Sequence, residues 1–218
     1  MMATWIAHMR VAEYFMKKYD KLNNHYFLVG NIGPDCGVPN EDWSSFTPNK
    51  NITHWSSNDG KNIDADDFKN KFLNIKDNKY SFYLGYYFHL LTDIEWLKLY
   101  NKKKLDPLYY ENLNKDKNYI WTIKKDWYGQ DHLFLQTNPN FIFYTEFANI
   151  TEFNNIFFDF FPKEAFIKQI KYITGFYLSS KEDPNRNFPY LSKYEMDNFV
   201  NETINVLDNI LDDMDLSN

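Results

Sequence analysis

Residues 81–100, SFYLGYYFHLLTDIEWLKLY, decide how the rest of this sequence is read. The stretch holds no Pro and a single Gly, and Phe82, Tyr86, Leu90, Trp96, Leu97 and Tyr100 recur at the spacing of a buried amphipathic helix. His89 and Asp93 interrupt that stripe. Four residues apart on a helix, their Cβ atoms stand roughly 5–6 Å from each other on one face. A carboxylate on an apolar face is costly unless it is paired. A metal ion satisfies a carboxylate and a neutral imidazole together, and so does a direct His–Asp hydrogen bond; the pair by itself leaves both readings open.

The remaining composition agrees with a helical protein. Seven Gly and eight Pro in 218 residues, against 20% aromatic residues, suit helices packed with large rings better than a sandwich with many tight turns. We expect an all-α, multi-helix bundle forming a single domain over residues 1–218. A net charge of −6 supplies no basic field for a polyanion, so nucleic acid is disfavoured as a partner. One cysteine, Cys36, excludes an internal disulfide framework and points to a reducing, cytoplasmic setting. The opening MMATWIAHMRVAEYFMKKYD carries His8, Arg10 and Glu13, so it reads as neither a signal peptide nor a membrane span. No other stretch reaches the apolar length of a transmembrane helix.

Further candidates lie along the chain. Residues 4–19 follow a helical pattern with Trp5, Val11, Ala12, Phe15 and Tyr19 toward the core, and His8 shares that face. Read alone, His8 favours a satisfied core histidine. The apolar run 26–29 stops at GNIGPD, a turn that delivers Asp35 at the end of a buried segment, either as a ligand or as a helix cap. Residues 36–60 read as a long ordered loop in which Trp43, Phe46, Ile52 and Trp55 anchor the neighbourhood of His54. Residues 64–73 read as a short helix. Pro107 opens one long helical region over 108–135. Within it Asp131 has Trp127, Tyr128, Phe134 and Leu135 as near neighbours, which marks a second buried carboxylate, whereas His132, beside Gly129 and Gln136, reads as more exposed. Two more helices are expected over 163–179 and 192–211.

Taken in order, Phe27-Leu-Val-Gly-Asn-Ile-Gly-Pro-Asp35, Thr53-His54-Trp55 and Tyr83-Leu-Gly-Tyr-Tyr-Phe-His-Leu-Leu-Thr-Asp93 resemble the zinc-dependent phospholipase C family, whose superfamily includes single-strand-directed nucleases. The likeness runs from Trp5 to Trp96, with a weaker continuation to about residue 135. It implies an all-helical fold holding metal ions, usually zinc, between helices for hydrolysis of phosphate esters. By motif position Asp35, His54, His89 and Asp93 would form one four-residue metal site, and His8 with the shared Asp93 an adjacent one. Two imidazoles and two carboxylates also suit zinc or another divalent transition metal such as iron on chemical grounds. The sequence departs from the family in two respects. Secreted members use a mature N-terminal Trp as a ligand, whereas Trp5 here follows four residues. Their downstream cluster of two His and a Glu has no clear counterpart, leaving Asp126, Asp131 and His132, among which burial selects Asp131. The resemblance thus implies one or two ions.

The expected activity is that of a metal-dependent phosphoesterase using metal-activated water, with Asp35 as ligand and as the base that orients the water. Its substrate would be a small phosphoester or a phospholipid head group, the latter met by peripheral membrane contact. Two alternatives are an HD-type phosphohydrolase, which wants an adjacent His-Asp where this chain has the reversed Asp131-His132, and a non-catalytic helical domain that binds a metal or a partner.

Overall fold

The computed structural model describes residues 2–212 except 43, 58–61 and 75, and the side chain of residue 212 is likewise outside the description. Helix α5, Tyr80–Lys103, runs through the centre, and every residue from Phe82 to Asp93 is buried. A one-sided apolar stripe is therefore too narrow a description for its first half, which is enclosed on all sides by other elements. Its C-terminal half becomes one-sided as the lysines 98, 102 and 103 reach solvent.

The main neighbour of α5 is α2, Asn24–Asn31. Their backbones nearly touch. A Cβ added to Gly85 would lie 2.1 Å from the Phe27 carbonyl oxygen, and one added to Gly30 would lie 2.0 Å from that of Phe82. Only a residue without a side chain fits at either place. The close crossing sets Asn31 opposite His89 and directs the following 3₁₀ turn, Gly33–Asp35, back toward α5.

Helix α1, Trp5–Lys18, lies against α2 and α5. Thr4 caps it by accepting from the Ala7 amide, which fixes where the helix begins. The expected loop over 36–60 is partly regular. A short antiparallel pair, β1 (Val38–Pro39) and β2 (Phe46–Thr47), leads to α3, Lys50–Thr53, which is capped by Asn49 and ends at His54. Trp55 then takes φ 50°, an unusual backbone region for a large residue, and its indole docks on α4, Ala65–Phe72: Nε1–H donates to Asp67 Oδ2 at 2.7 Å and the ring meets Phe68 and Phe72 edge-on. Trp43, expected as a second anchor, falls outside the described residues.

The region expected as one helix over 108–135 is two: α6, Pro107–Lys115, and α7, Ile120–Thr137, with a 3₁₀ turn at Lys117–Tyr119 between them. Asp116 is the reason. Its backbone is extended at φ −147°, and its carboxylate accepts from the Asn118 amide, so it ends one helix and caps the next segment. After the short α8, Ile142–Thr145, an aromatic stretch packs on the start of α5, with Phe157 stacked on Phe82 at 3.8 Å. Helices α9, Ala165–Leu178, and α10, Lys193–Asp212, complete an all-α architecture. The joint between them is tied down by Asp126, which accepts from Arg186 Nη1 at 2.6 Å and from the Tyr190 amide at 2.7 Å. Among the described residues no helix is long and apolar enough to cross a membrane.

Candidate metal centre

Four separate segments bring His8, Asp35, His54, His89 and Asp93 to one place. His8 comes from the first turns of α1, Asp35 from the 3₁₀ turn, His54 from the end of α3, and His89 with Asp93 from the enclosed part of α5. Asp93 is the hub. Its Oδ2 lies 3.3 Å from His89 Nε2 and 3.7 Å from His54 Nε2, its Oδ1 lies 3.4 Å from His8 Nε2, and His54 Nε2 is 3.5 Å from Asp35 Oδ1. The His8 and His89 rings stack face to face at 3.8 Å. Two groups, His8–His89–Asp93 and Asp35–His54–His89, each place one candidate donor atom per residue within 4.8 Å of the others, as a metal ion requires.

The outer faces of His54, His89, Asp35 and Asp93 are held, whereas neither ring nitrogen of His8 makes a hydrogen bond. His89 Nδ1 is 2.7 Å from the Asn31 carbonyl, which puts a proton on Nδ1, and His54 Nδ1 is 3.1 Å from the Thr53 hydroxyl and 3.2 Å from the Lys50 carbonyl, so that both rings turn Nε2 inward. Tyr86 fixes the end of α3 by donating its hydroxyl to the Thr53 carbonyl. Asp93 Oδ1 accepts from the Ala3 amide at 2.8 Å, and Asp35 Oδ2 accepts from the Trp5 indole at 2.8 Å. By contrast Nε2 of His8, His54 and His89 and Oδ2 of Asp93 are fully buried and make no hydrogen bond. Buried polar atoms almost always have partners, so four without one, facing each other, fit a cation better than they fit a satisfied core.

The electrostatics agree. Burial opposes ionisation of Asp93, but the charge of His89 and the close His8 and His89 rings outweigh it and hold the carboxyl well below its usual range; the same balance, with His54 as the chief partner, depresses Asp35. Burial and the nearness of His89 push His8 down, so its imidazole stays neutral. Burial acts the same way on His89, but Asp93 and Asp35 reverse the result and raise it. The cluster is thus two carboxylates that stay ionised with three imidazole nitrogens directed inward between them, the donor set of a nitrogen- and oxygen-ligated transition metal.

Asp131 is not brought to this cluster. It is buried, as its apolar neighbours imply, but Thr4 Oγ1 donates to one oxygen at 2.8 Å and Tyr177 Oη to the other at 2.5 Å, and it belongs to neither candidate group. Two hydroxyls from α9 and the α1 cap supply what the sequence reading assigned to a metal. His132 is also buried rather than exposed, since it is enclosed by Phe176 and Tyr177. Asp126 is taken up by Arg186 and Tyr190, as described above.

Burial, only partly offset by the two hydroxyls, raises the Asp131 carboxyl from its ordinary 3.8 to about 7. A carboxyl that holds its proton more tightly folded than unfolded stabilises the fold fully below pH 3.8, and this contribution is lost as pH rises to about 7. The loss is on the order of 4 kcal/mol for a shift of this size at a fully buried group. Asp131→Asn is expected to be more stable than the parent at pH 8 and to lose that advantage by pH 4, in urea melts across that range. Parallel pH profiles for the two proteins would show that Asp131 is ionised normally.

The sequence reading missed the groups that orient the cluster, namely the carbonyls of Asn31 and Lys50, the Ala3 amide and the Trp5 indole. Backbone atoms carry no residue-type signal, and Trp5 was assigned simply to the core. Two further charged neighbours, Lys50 and Lys124, also escaped it, because their sequence separation hides that they line one hollow beside Asp35. A larger hollow of about 540 Å³ lies between the C-terminal half of α5 and α10, and two of its lysines are paired, Lys103 with Glu195 and Lys98 with Glu95.

The fold and this cluster define an all-α protein with a buried His/Asp centre able to hold a metal. Residues 5–96 match the family model described as zinc dependent phospholipase C, the family that the sequence motifs resemble. No curated protein and no solved structure matches the chain. The matched segment contains all five clustered residues and ends at Trp96, so the weaker likeness expected to about residue 135 lies beyond it. The match together with the two donor groups supports a metal-dependent phosphoesterase in general, with zinc as its metal.

Proposed function

We propose that this protein is a phospholipase C-like hydrolase of phosphate esters, a single helical domain in which Asp35, His54, His89 and Asp93 hold one divalent transition metal, zinc or iron, and His8 with Asp93 Oδ1 borders a second position. The observation that carries this reading is the set of buried, unpartnered donor atoms on His8, His54, His89 and Asp93. A bound ion would supply Lewis acidity and lower the pKa of a water molecule toward neutrality.

The chain's own residues do the rest. The Asn31 and Lys50 carbonyls fix the two imidazoles with Nε2 inward, and the Ala3 amide and Trp5 indole each occupy one carboxylate oxygen, leaving the other for the ion. Asp35 is the carboxylate at the open side, since it lines the hollow that also touches Trp5 and Tyr128. It is the residue we assign to orienting a water beside the ion. The family's substrates are phospholipids, and a head-group phosphate or a small phosphoester presents the same group to this hollow.

Protein purified without added metal is expected to contain about one transition-metal ion per chain, and to hydrolyse a generic phosphodiester or phosphomonoester in proportion to that content. Metal-free protein that gains no hydrolysis on adding zinc or iron would leave the helical, non-catalytic reading in its place.

A further inference from the structure

The hollow beside Asp35 is small, about 90 Å³, and Thr4, Trp5, Asp35, Lys50, Lys124 and Tyr128 are among its walls. The hollow opens to solvent, and its inner end has room for a group of the size of a tetrahedral phosphate. Two of its walls are lysines, from elements far apart in sequence: Lys50 opens α3 and Lys124 lies in the first turns of α7. Among the described residues neither forms a close ion pair, and Asp35 is the carboxylate whose charge each of them feels, although the protein carries six more acidic than basic residues. Each instead rests its ammonium against an aromatic face, Lys50 over Phe46 at 4.6 Å and Lys124 over Trp121 at 4.9 Å. Lys124 is half-buried, and burial together with the charge of Lys50 disfavours its ammonium while Asp35 favours it.

We propose that Lys50 and Lys124 form an anion subsite that holds the phosphate of the substrate at the open side of Asp35, and that they make this protein selective for dianionic phosphate groups over the zwitterionic diesters of choline-type head groups. This rests on the metal-centre reading above. The charge count carries the selectivity. Lys50 and Lys124 bring two ammonium groups to the one hollow beside Asp35, and with Asp35 and Asp93 set against a divalent ion these remain as two positive charges there. A phosphomonoester dianion cancels both. A phosphodiester monoanion cancels one of them, and a trimethylammonium group meets two like charges within the same small space. A charge-assisted hydrogen bond from each lysine is the contact that a phosphate oxygen would gain.

The test titrates inorganic phosphate into the protein as purified, with metal content measured on the same samples, for the parent, for Lys50→Gln/Lys124→Gln and for Lys50→Arg/Lys124→Arg. The Gln pair is expected to weaken phosphate binding tenfold or more while retaining its metal, and the Arg pair to keep most of the affinity. Phosphate affinity in the folded Gln pair within twofold of the parent would overturn the proposal. The two readings fail separately: a parent that holds no metal, yet binds phosphate through the lysines, sinks the hydrolase and keeps the anion site, whereas a metal-loaded parent indifferent to the lysines does the reverse. Competition against the bound phosphate then distinguishes the source. Displacement by glycerol phosphate identifies a soluble monoester and displacement by phosphatidylcholine vesicles containing phosphatidic acid identifies a lipid one. Equal displacement by pure phosphatidylcholine vesicles would refute the selectivity.

Discussion

Replacing His89 by Ala is expected to remove the metal and the hydrolytic activity together, by more than about 100-fold, above the usual cost of losing an outer hydrogen-bond partner of a ligand. His89 belongs to both candidate donor groups and faces Asp93 at 3.3 Å, so its loss opens the centre on either assignment of the ions. The same change strips Asp93 of its nearest positive partner, and an uncompensated buried charge costs about 3–5 kcal/mol. The variant should therefore also be less stable than the parent when both are stripped of metal. Metal analysis, hydrolysis and urea melts on one preparation check all three. Full metal occupancy in His89→Ala would dissolve the site as drawn here, and Asn31 offers the control: its side chain can be changed while the carbonyl that holds His89 stays in place.

Gly85→Ala is expected to destabilise the protein by about 3 kcal/mol or more, beyond what overpacking a deformable core usually costs, because the new methyl would meet a backbone oxygen and not a flexible side chain. The 2.1 Å separation from the Phe27 carbonyl leaves no rotamer to relieve it, so α2 must move away from α5. Such a shift also carries Asn31 away from His89 Nδ1 and the Gly33–Asp35 turn away from His54. Metal affinity should fall although no ligand is touched. Urea melts of metal-free protein isolate the packing cost, and metal titration of the folded variant isolates the second effect. A loss below about 1 kcal/mol would mean that the two helices separate easily.

The part of the fold that was legible in the sequence is the part where local pattern and burial coincide. The helical spacing in residues 81–100 and 4–19 reappears as α5 and α1, and the acidic start of residues 64–73 becomes the Asp64 cap of α4. The single helix expected over 108–135 failed because one residue decided it: Asp116 competes with the helix through its own side chain, a choice that apolar periodicity does not register. The five clustered residues were legible for a different reason. Each lies on an apolar face or beside an aromatic anchor, where a titratable group needs an explanation, and it was the ordered motifs resembling the family that grouped them. Asp131 satisfied the same criterion and has another explanation, since burial announces that a carboxylate needs a partner without saying whether a cation or two hydroxyls will supply it. The lysines stayed hidden because a charge on a helix surface, exposed at Lys50 and half-buried at Lys124, looks in sequence like any solvated one.

Trp5 has a consequence that reaches across the chain. Its indole holds Asp35, while its ring is enclosed by Tyr128 from α7 and by Tyr172, Phe176 and Tyr177 from α9. The five metal-facing residues all come from the matched segment, and the aromatic wall and Lys124 come from the remainder. On the proposed hydrolase reading, exchanging the surface of α7 and α9 around Trp5 is expected to change which ester is admitted while leaving the clustered residues in place.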